Sequence, residues 1–166
     1  LWTIAALPLR LPPGAYRLES EPDAKEATWF ATGWALGAYR FDRYRKAGRA
    51  PAELVWPANA DRKAVGRVAR ADQLTRDLIN TPAEDMGPPE LAAAAQAMAD
   101  ELGMRAQIIA DSGKVKREFP LIHAVGRAAS RGPRLIDLRW GDPLRPRIAV
   151  IGKGVCFDTG GLDLKP

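Results

Sequence analysis

Residues 147–152 set four consecutive apolar side chains, Ile148, Ala149, Val150 and Ile151, directly ahead of a loop rich in glycine and charge. An unbroken apolar run of this kind suits a strand buried on both sheet faces, as in parallel sheets. The loop holds Gly152, Gly154, Gly160 and Gly161 together with Lys153, Asp158, Asp163 and Lys165. Open α/β sheets place ligands beyond the carboxyl ends of their strands, and glycine lets a backbone bend close to a bound group. The pairing of strand and loop points to an α/β fold whose chemistry sits after a strand. The alternative is a solvated loop of ordinary charges.

The rest of the chain agrees with alternating helices and strands. Residues 1–7 are apolar and read as a strand; Pro8, Pro12, Pro13, Gly14 and Pro22 then forbid a long helix. From Asp23 onward Trp29, Phe30, Trp34, Ala38, Phe41 and Tyr44 recur at spacings near three and four, the mark of an amphipathic helix. Asp23 is placed to cap it, with Glu26 as the returning partner. Gly33 and Gly37 lie inside this helix, where small residues admit a neighbouring backbone. Its aromatic stripe is expected in the core. Residues 48–60 form a connector with a short strand at 53–56, and residues 61–79 form a second helix, stopped by Asn80-Thr81-Pro82. Gly87-Pro88-Pro89-Glu90 launches a third helix, which ends at Gly103. Beyond it, residues 104–110 read as a strand, 111–118 as a short helix capped by Asp111 or Ser112, and 135–140 as a strand. Strands alternating with helices predict a mixed, largely parallel sheet flanked by helices.

Composition removes several classes. No apolar run approaches the ~20 residues that cross a bilayer, and no basic segment precedes the apolar start as in a secretory leader. The first residue is Leu, so this start reads as part of something longer. One cysteine, Cys156, excludes an internal disulfide and fits a reducing compartment. The net charge of +5 raises nucleic acid as a partner, but the arginines are spread along the chain without interleaved aromatics, which suits a solvated basic surface better.

The loop was tested against known chemistries. A phosphate-binding loop needs Gly-x-x-x-x-Gly-Lys-Ser/Thr, whereas Lys153 is followed by Gly154 and Val155. A serine-hydrolase elbow needs Gly-x-Ser-x-Gly, which Thr159-Gly160-Gly161 does not supply. With one histidine, His123, and one cysteine, a Cys/His zinc site is excluded by count. Nothing places His123 beside Cys156: the first reads as a structural histidine, the second as a small buried hydrophobe. A carboxylate metal site stays open, though such a site needs three or four oxygen ligands and the loop offers at most two.

The string Gly152-Lys153-Gly154-Val155-Cys156-Phe157-Asp158-Thr159-Gly160-Gly161-Leu162-Asp163-Leu164-Lys165-Pro166 resembles the Gly-Lys-Gly-x-x-Phe-Asp-Ser/Thr-Gly-Gly-x-x-x-Lys-Pro signature of leucyl aminopeptidases, the cytosol aminopeptidase family. Residues 77–88, containing Asn80-Thr81-Pro82 and Met86, are similar to the opening of that family's catalytic domain. Residues 125–136, from Val125-Gly126 through Ser130 to Pro133-Arg134-Leu135, are similar to its Val-Gly-x-x-Ser…Pro-Arg-Leu segment. The likeness covers roughly residues 60–166, and residues 1–60 match loosely as the tail of a variable N-terminal domain.

The resemblance implies a two-metal peptidase acting on peptide substrates. Lys153 and Asp158 correspond to metal ligands, Asp158 bridging both ions, and Lys165 to the catalytic lysine that polarises the substrate carbonyl. The implied cofactors are two divalent metal ions, zinc or manganese, with magnesium also accepted. Physical requirements fit these roles. A lysine binds metal only as the neutral amine, which burial and the cation's charge favour. One carboxylate with two oxygens suits two ions about 3.5 Å apart that activate a water between them. Charge on Lys165 would stabilise charge that develops in the transition state. Asp163 has no implied role.

The resemblance also implies a homo-hexamer of two trimers and a cytoplasmic location, with no membrane segment. The expected organisation is residues 1–60 as the remnant of an N-terminal domain with its linker helix, and 61–166 as the incomplete start of the catalytic α/β domain. The family's second aspartate, its Asp-x-Glu pair and its bicarbonate-site arginine follow the signature and have no counterpart here. The sequence thus reads as a fragment ending inside its active site, inactive by itself. Two rivals are a non-catalytic relative serving as a binding or structural subunit, and a nucleic-acid-binding protein.

Overall fold

Local chemistry sets the first long helix. The Asp23 carboxylate accepts a hydrogen bond from the Glu26 amide at 2.8 Å, the forward half of the expected capping box. The computed structural model describes residues 1–156. They fall into two units, Leu1–Asn80 and the described part of Thr81–Pro166.

In the first unit, helix α3 (Ala24–Gly37) is the centre. Ala27, Ala31 and Trp34, spaced by four and three, line its buried face. The Trp34 indole N–H donates to the Ala52 carbonyl at 3.0 Å, so the ring enters the core with its polar atom satisfied. The aromatic stripe is only partly core: Trp29 is 60% exposed. Phe41 and Tyr44 lie beyond the helix, where their rings meet with centroids 5.8 Å apart.

The expected strand at residues 1–7 is instead two single turns, α1 (Trp2–Ala5) and α2 (Leu7–Arg10). Pro8 sits in the first turn of α2, where a missing N–H costs nothing. The α1 backbone lies against the two glycines of α3. A Cβ on Gly33 would come within 2.9 Å of the Leu1 carbonyl oxygen, and one on Gly37 would overlap the Ala5 carbonyl. Strand β1 (Ala15–Tyr16) pairs in parallel with β2 (Glu53–Leu54).

Helix α4 (Arg62–Asn80) packs on α3 through Val65. It is capped by Asp61, whose carboxylate accepts from the Ala64 amide at 3.0 Å. That bond foremost holds the Asp61 carboxyl below its usual range against the opposing effect of burial, with the Lys63 amide and nearby basic charges adding to it. At the far end, the Tyr39 hydroxyl donates to Asp77 at 2.8 Å and accepts from Asn80 at 3.1 Å. Arg76 donates to the Leu36 carbonyl at 3.1 Å.

In the second unit, helix α5 (Pro88–Leu102) starts after Gly87 with two prolines and ends at Gly103. The φ of 63° at Gly103 is the left-handed conformation that glycine adopts freely. Strand β3 (Arg105–Ile109), helices α6 (Ser112–Glu118) and α7 (Pro120–Gly126), and strand β4 (Leu135–Arg139) follow. Asp111 caps α6 by accepting from the Lys114 amide at 2.6 Å. Helix α7 had no counterpart in the sequence reading. The two strands run antiparallel, Arg105 facing Arg139 and Ile109 facing Leu135. Helix α5 packs on this pair, with Ala92 and Ala99 buried.

The chain is mixed α/β, as expected, with one parallel and one antiparallel pair among the described residues. The expected strand at 147–152 is not formed there. Ile148, Val150 and Ile151 are each more than 90% exposed, with no ladder partner. A strand exists only through its neighbours' hydrogen bonds, and apolar composition alone does not make one.

Candidate metal-binding loop and its supports

The candidate loop begins after the extended residues 147–151. Lys153 is exposed. Asp158 and Lys165 lie outside the described residues. What the structure does show is the seat on which the loop begins. Gly154 lies over α5: a Cβ there would stand 3.2 Å from the Leu91 Cδ2 atom. Cys156 is half-buried beside the charged pair Arg131 and Glu90. Burial pushes its thiol up from the ordinary value; Arg131 opposes this and Glu90 reinforces it. A thiol so placed is a weak nucleophile, in keeping with a structural role.

Arg131 is the centre of this seat. Its guanidinium donates to the Ala83 carbonyl at 2.6 Å and the Glu84 carbonyl at 2.9 Å, and meets the Glu90 carboxylate at 3.3 Å. The two carbonyls belong to a turn in which the Asp85 and Met86 amides both bond the Pro82 carbonyl at 2.9 Å. Glu90 also accepts from the Gly87 amide at 2.9 Å, closing the first turn of α5 from its third residue. Its own amide foremost, then the Gly87 amide and Arg131, hold the Glu90 carboxyl below its usual range despite some burial. Arg131 and Glu90 are 38% and 42% exposed, so water screens their charge attraction. The carbonyl contacts and the planar fit of the guanidinium set the geometry.

The three segments singled out in the sequence therefore meet within this unit. Residues 81–90 supply the carbonyls, Gly87, Glu90 and the base of α5; residues 125–136 supply Arg131; the loop rests at Gly154 and Cys156. Gly87 and Glu90 were legible in the sequence as a helix start, but not as partners of Arg131, which had no role of its own there. The Gly87-to-Glu90 spacing carries a helix-start signal. Nothing local to Arg131 marks its partners, which lie 41 to 48 positions away.

The described residues do not by themselves make a metal site. Among them no group of three or more His, Cys, Asp or Glu side chains is placed to hold an ion. Lys153 is the single expected ligand described. Among the described residues no helix is long and apolar enough to cross a membrane.

Comparison with known proteins gives the family. Residues 73–166, more than half of the chain, match the model of the cytosol aminopeptidase family, catalytic domain. Residues 1–57 match the M17 aminopeptidase, N-terminal domain. A probable cytosol aminopeptidase of Streptomyces avermitilis is 39% identical over 160 residues, covering 87% of this chain and 31% of that protein. One of Corynebacterium diphtheriae is 37% identical over 145 residues, covering 81% and 29%. The crystal structure of the Coxiella burnetii cytosol aminopeptidase superposes with a TM-score of 0.78 at 44% identity, covering 86% of this chain and 31% of that one. The bottromycin maturation enzyme BotP, solved in complex with Mn, gives a TM-score of 0.63 at 30% identity, covering 78% and 30%. The chain thus spans about 30% of the length of the relatives it matches. With both models matched in chain order and the signature segments brought together in space, the chain belongs to the cytosol aminopeptidase family.

Proposed function

We propose that the whole protein is a metal-dependent aminopeptidase that removes N-terminal residues, leucine among them, from peptides. The observation that carries this reading is the convergence of residues 81–90, Arg131 and residues 154–156 on one seat at the start of the sequence segment that contains Lys153 and Asp158. In this reading Lys153 and Asp158 would hold part of a pair of divalent ions, zinc or manganese, with magnesium also accepted. The ions, when bound, supply an activated water. Lys165, as an ammonium, would stabilise the negative charge that develops on the substrate carbonyl oxygen. The described loop start fits such a site in one respect: Gly154 passes close over Leu91, so the backbone is held by packing rather than left free.

The same reading assigns residues 1–60 to the end of an N-terminal domain with its linker helix, and 61–166 to the first part of the catalytic domain. It places the protein in the cytoplasm as a homo-hexamer. Lys153 and Asp158 are too few donors for two ions, each of which needs four or more ligands. The 166-residue polypeptide is therefore inactive by itself. The second reading is a non-catalytic relative that serves as a binding or structural subunit.

The test is hydrolysis of leucyl amide by the purified whole protein, before and after chelation. Activity lost to the chelator and restored by Mn²⁺ or Zn²⁺ supports the peptidase. A folded, metal-supplemented protein without hydrolysis sinks it in favour of the binding subunit.

A further inference from the structure

A polar network ties two of the three signature segments together, and the start of the third rests against it at Gly154 and Cys156. Among the described residues Arg131 makes no hydrogen bond to Lys153, an expected ligand. Yet its guanidinium spends three contacts on fixing the piece of chain under the loop: two backbone carbonyls of the 82–86 turn and the Glu90 carboxylate. It also lies against Gly87, where a Cβ would come within 2.7 Å of the guanidinium carbon. Gly87 has an ordinary extended backbone, with φ of −93°, so no conformational demand explains glycine here. The demand is space. The guanidinium occupies the volume a side chain would fill.

We infer that Arg131 is a positioning residue for the start of the metal-binding loop, holding the first turn of α5 so that Leu91 supports Gly154 beside Lys153. This rests on the metallopeptidase reading. The physical logic is that metal ligands on a glycine-rich loop have no intrinsic order, and their geometry is inherited from the groups that brace them. A planar guanidinium with donors in a fixed fork can hold two carbonyls and a carboxylate at once; a lysine ammonium cannot match that fork. Four features converge on the same few ångströms: the paired carbonyls, the Glu90 bridge to the Gly87 amide, the side-chain-free surface of Gly87, and the close pass of Gly154 over Leu91.

The experiment compares the whole protein with its Arg131→Ala, Arg131→Lys and Gly87→Ala variants. Three quantities are read: fold by circular dichroism, Mn²⁺ dissociation constant by calorimetry on the chelator-stripped protein, and kcat and KM for leucyl amide. Arg131→Ala is expected to weaken Mn²⁺ binding and lower kcat by roughly 10–100-fold, with KM nearly unchanged, because the bracing of the ligands is lost and the substrate pocket is not. Arg131→Lys recovers part of both. Gly87→Ala, which leaves every charge in place and only displaces the guanidinium, shifts both in the same direction. Should Arg131→Ala fail to fold, the other two variants decide by the same measures. Folded variants with Mn²⁺ affinity and kcat within twofold of wild type, or a change confined to KM, overturn the positioning role while leaving the peptidase standing. A wild-type protein that neither binds Mn²⁺ nor cleaves the amide overturns both.

Discussion

Arg131 lies against Gly87 so closely that a methyl group on the glycine would stand 2.7 Å from the guanidinium carbon. Two residues 44 positions apart are thereby made to depend on each other. The first consequence concerns stability. Arg131→Ala leaves the Ala83 and Glu84 carbonyls without their donor and is expected to cost about 1–2 kcal/mol. Gly87→Ala should cost about 1 kcal/mol alone, and no more than a few tenths once Arg131 is already alanine. Denaturant midpoints of the four proteins measure this coupling, and strictly additive costs would show that the two residues do not interact.

Gly37 and Gly66 both lie inside long helices, and substitution by alanine is expected to have opposite signs. A Cβ on Gly37 overlaps the Ala5 carbonyl, so Gly37→Ala destabilises by about 1–3 kcal/mol as α1 is pushed off α3. Gly66 has nothing within 4 Å of that position, so Gly66→Ala stabilises by roughly 0.5–1 kcal/mol through helix propensity. Thermal unfolding of the pair checks the sign reversal.

Trp34 enters the first unit's core 6% exposed and donates its indole N–H to Ala52. Trp34→Phe leaves that buried carbonyl unsatisfied and should cost about 1–3 kcal/mol. Trp34→Ala adds a cavity and should cost roughly 3–5 kcal/mol. Equal losses for the two variants, read from denaturant unfolding, would remove the hydrogen bond from the account.

The Glu90 carboxyl sits below its ordinary value of 4.5 in the folded protein, held there by its own and the Gly87 amide with Arg131 adding to them. A depressed folded pKa contributes stability that is present above the unfolded value and is lost as pH falls through the folded one. Stability should therefore decline from about pH 5 downward. Glu90→Gln should be less stable than wild type at neutral pH and should flatten this acid limb. An unchanged slope below pH 5 would show that Glu90 makes no linked contribution.

Much of the fold was legible because its determinants are local. Asp23, Asp111, Pro88 and Gly103 each mark a helix end through bonds or backbone angles within a few residues, and each does so in the structure. Gly33 and Gly37 indicated a close backbone and found α1. The apolar start was misread because a short apolar run fits a strand and a helical turn equally well. Residues 147–152 show the converse: their composition asks for a buried strand, but a strand depends on neighbours that no local pattern supplies. The roles expected of Lys153, Asp158 and Lys165 rest on the resemblance of their segment to a family signature, since spacing alone left a solvated loop open, whereas Arg131 was invisible because its partners are far away in the chain.

The 166-residue polypeptide, supplied with Mn²⁺ or Zn²⁺, is expected to release no product from leucyl amide, since Lys153 and Asp158 alone cannot hold two ions. Hydrolysis that rises with polypeptide concentration and disappears on chelation would contradict this.

The most direct test of the central claim is metal content together with leucyl amide hydrolysis for the whole protein and its Lys153→Met and Asp158→Asn variants. The account predicts two divalent ions per wild-type chain, at least one lost from each variant, and a fall in kcat on the order of 10³-fold for Asp158→Asn. Folded variants that keep both ions and wild-type turnover would contradict it.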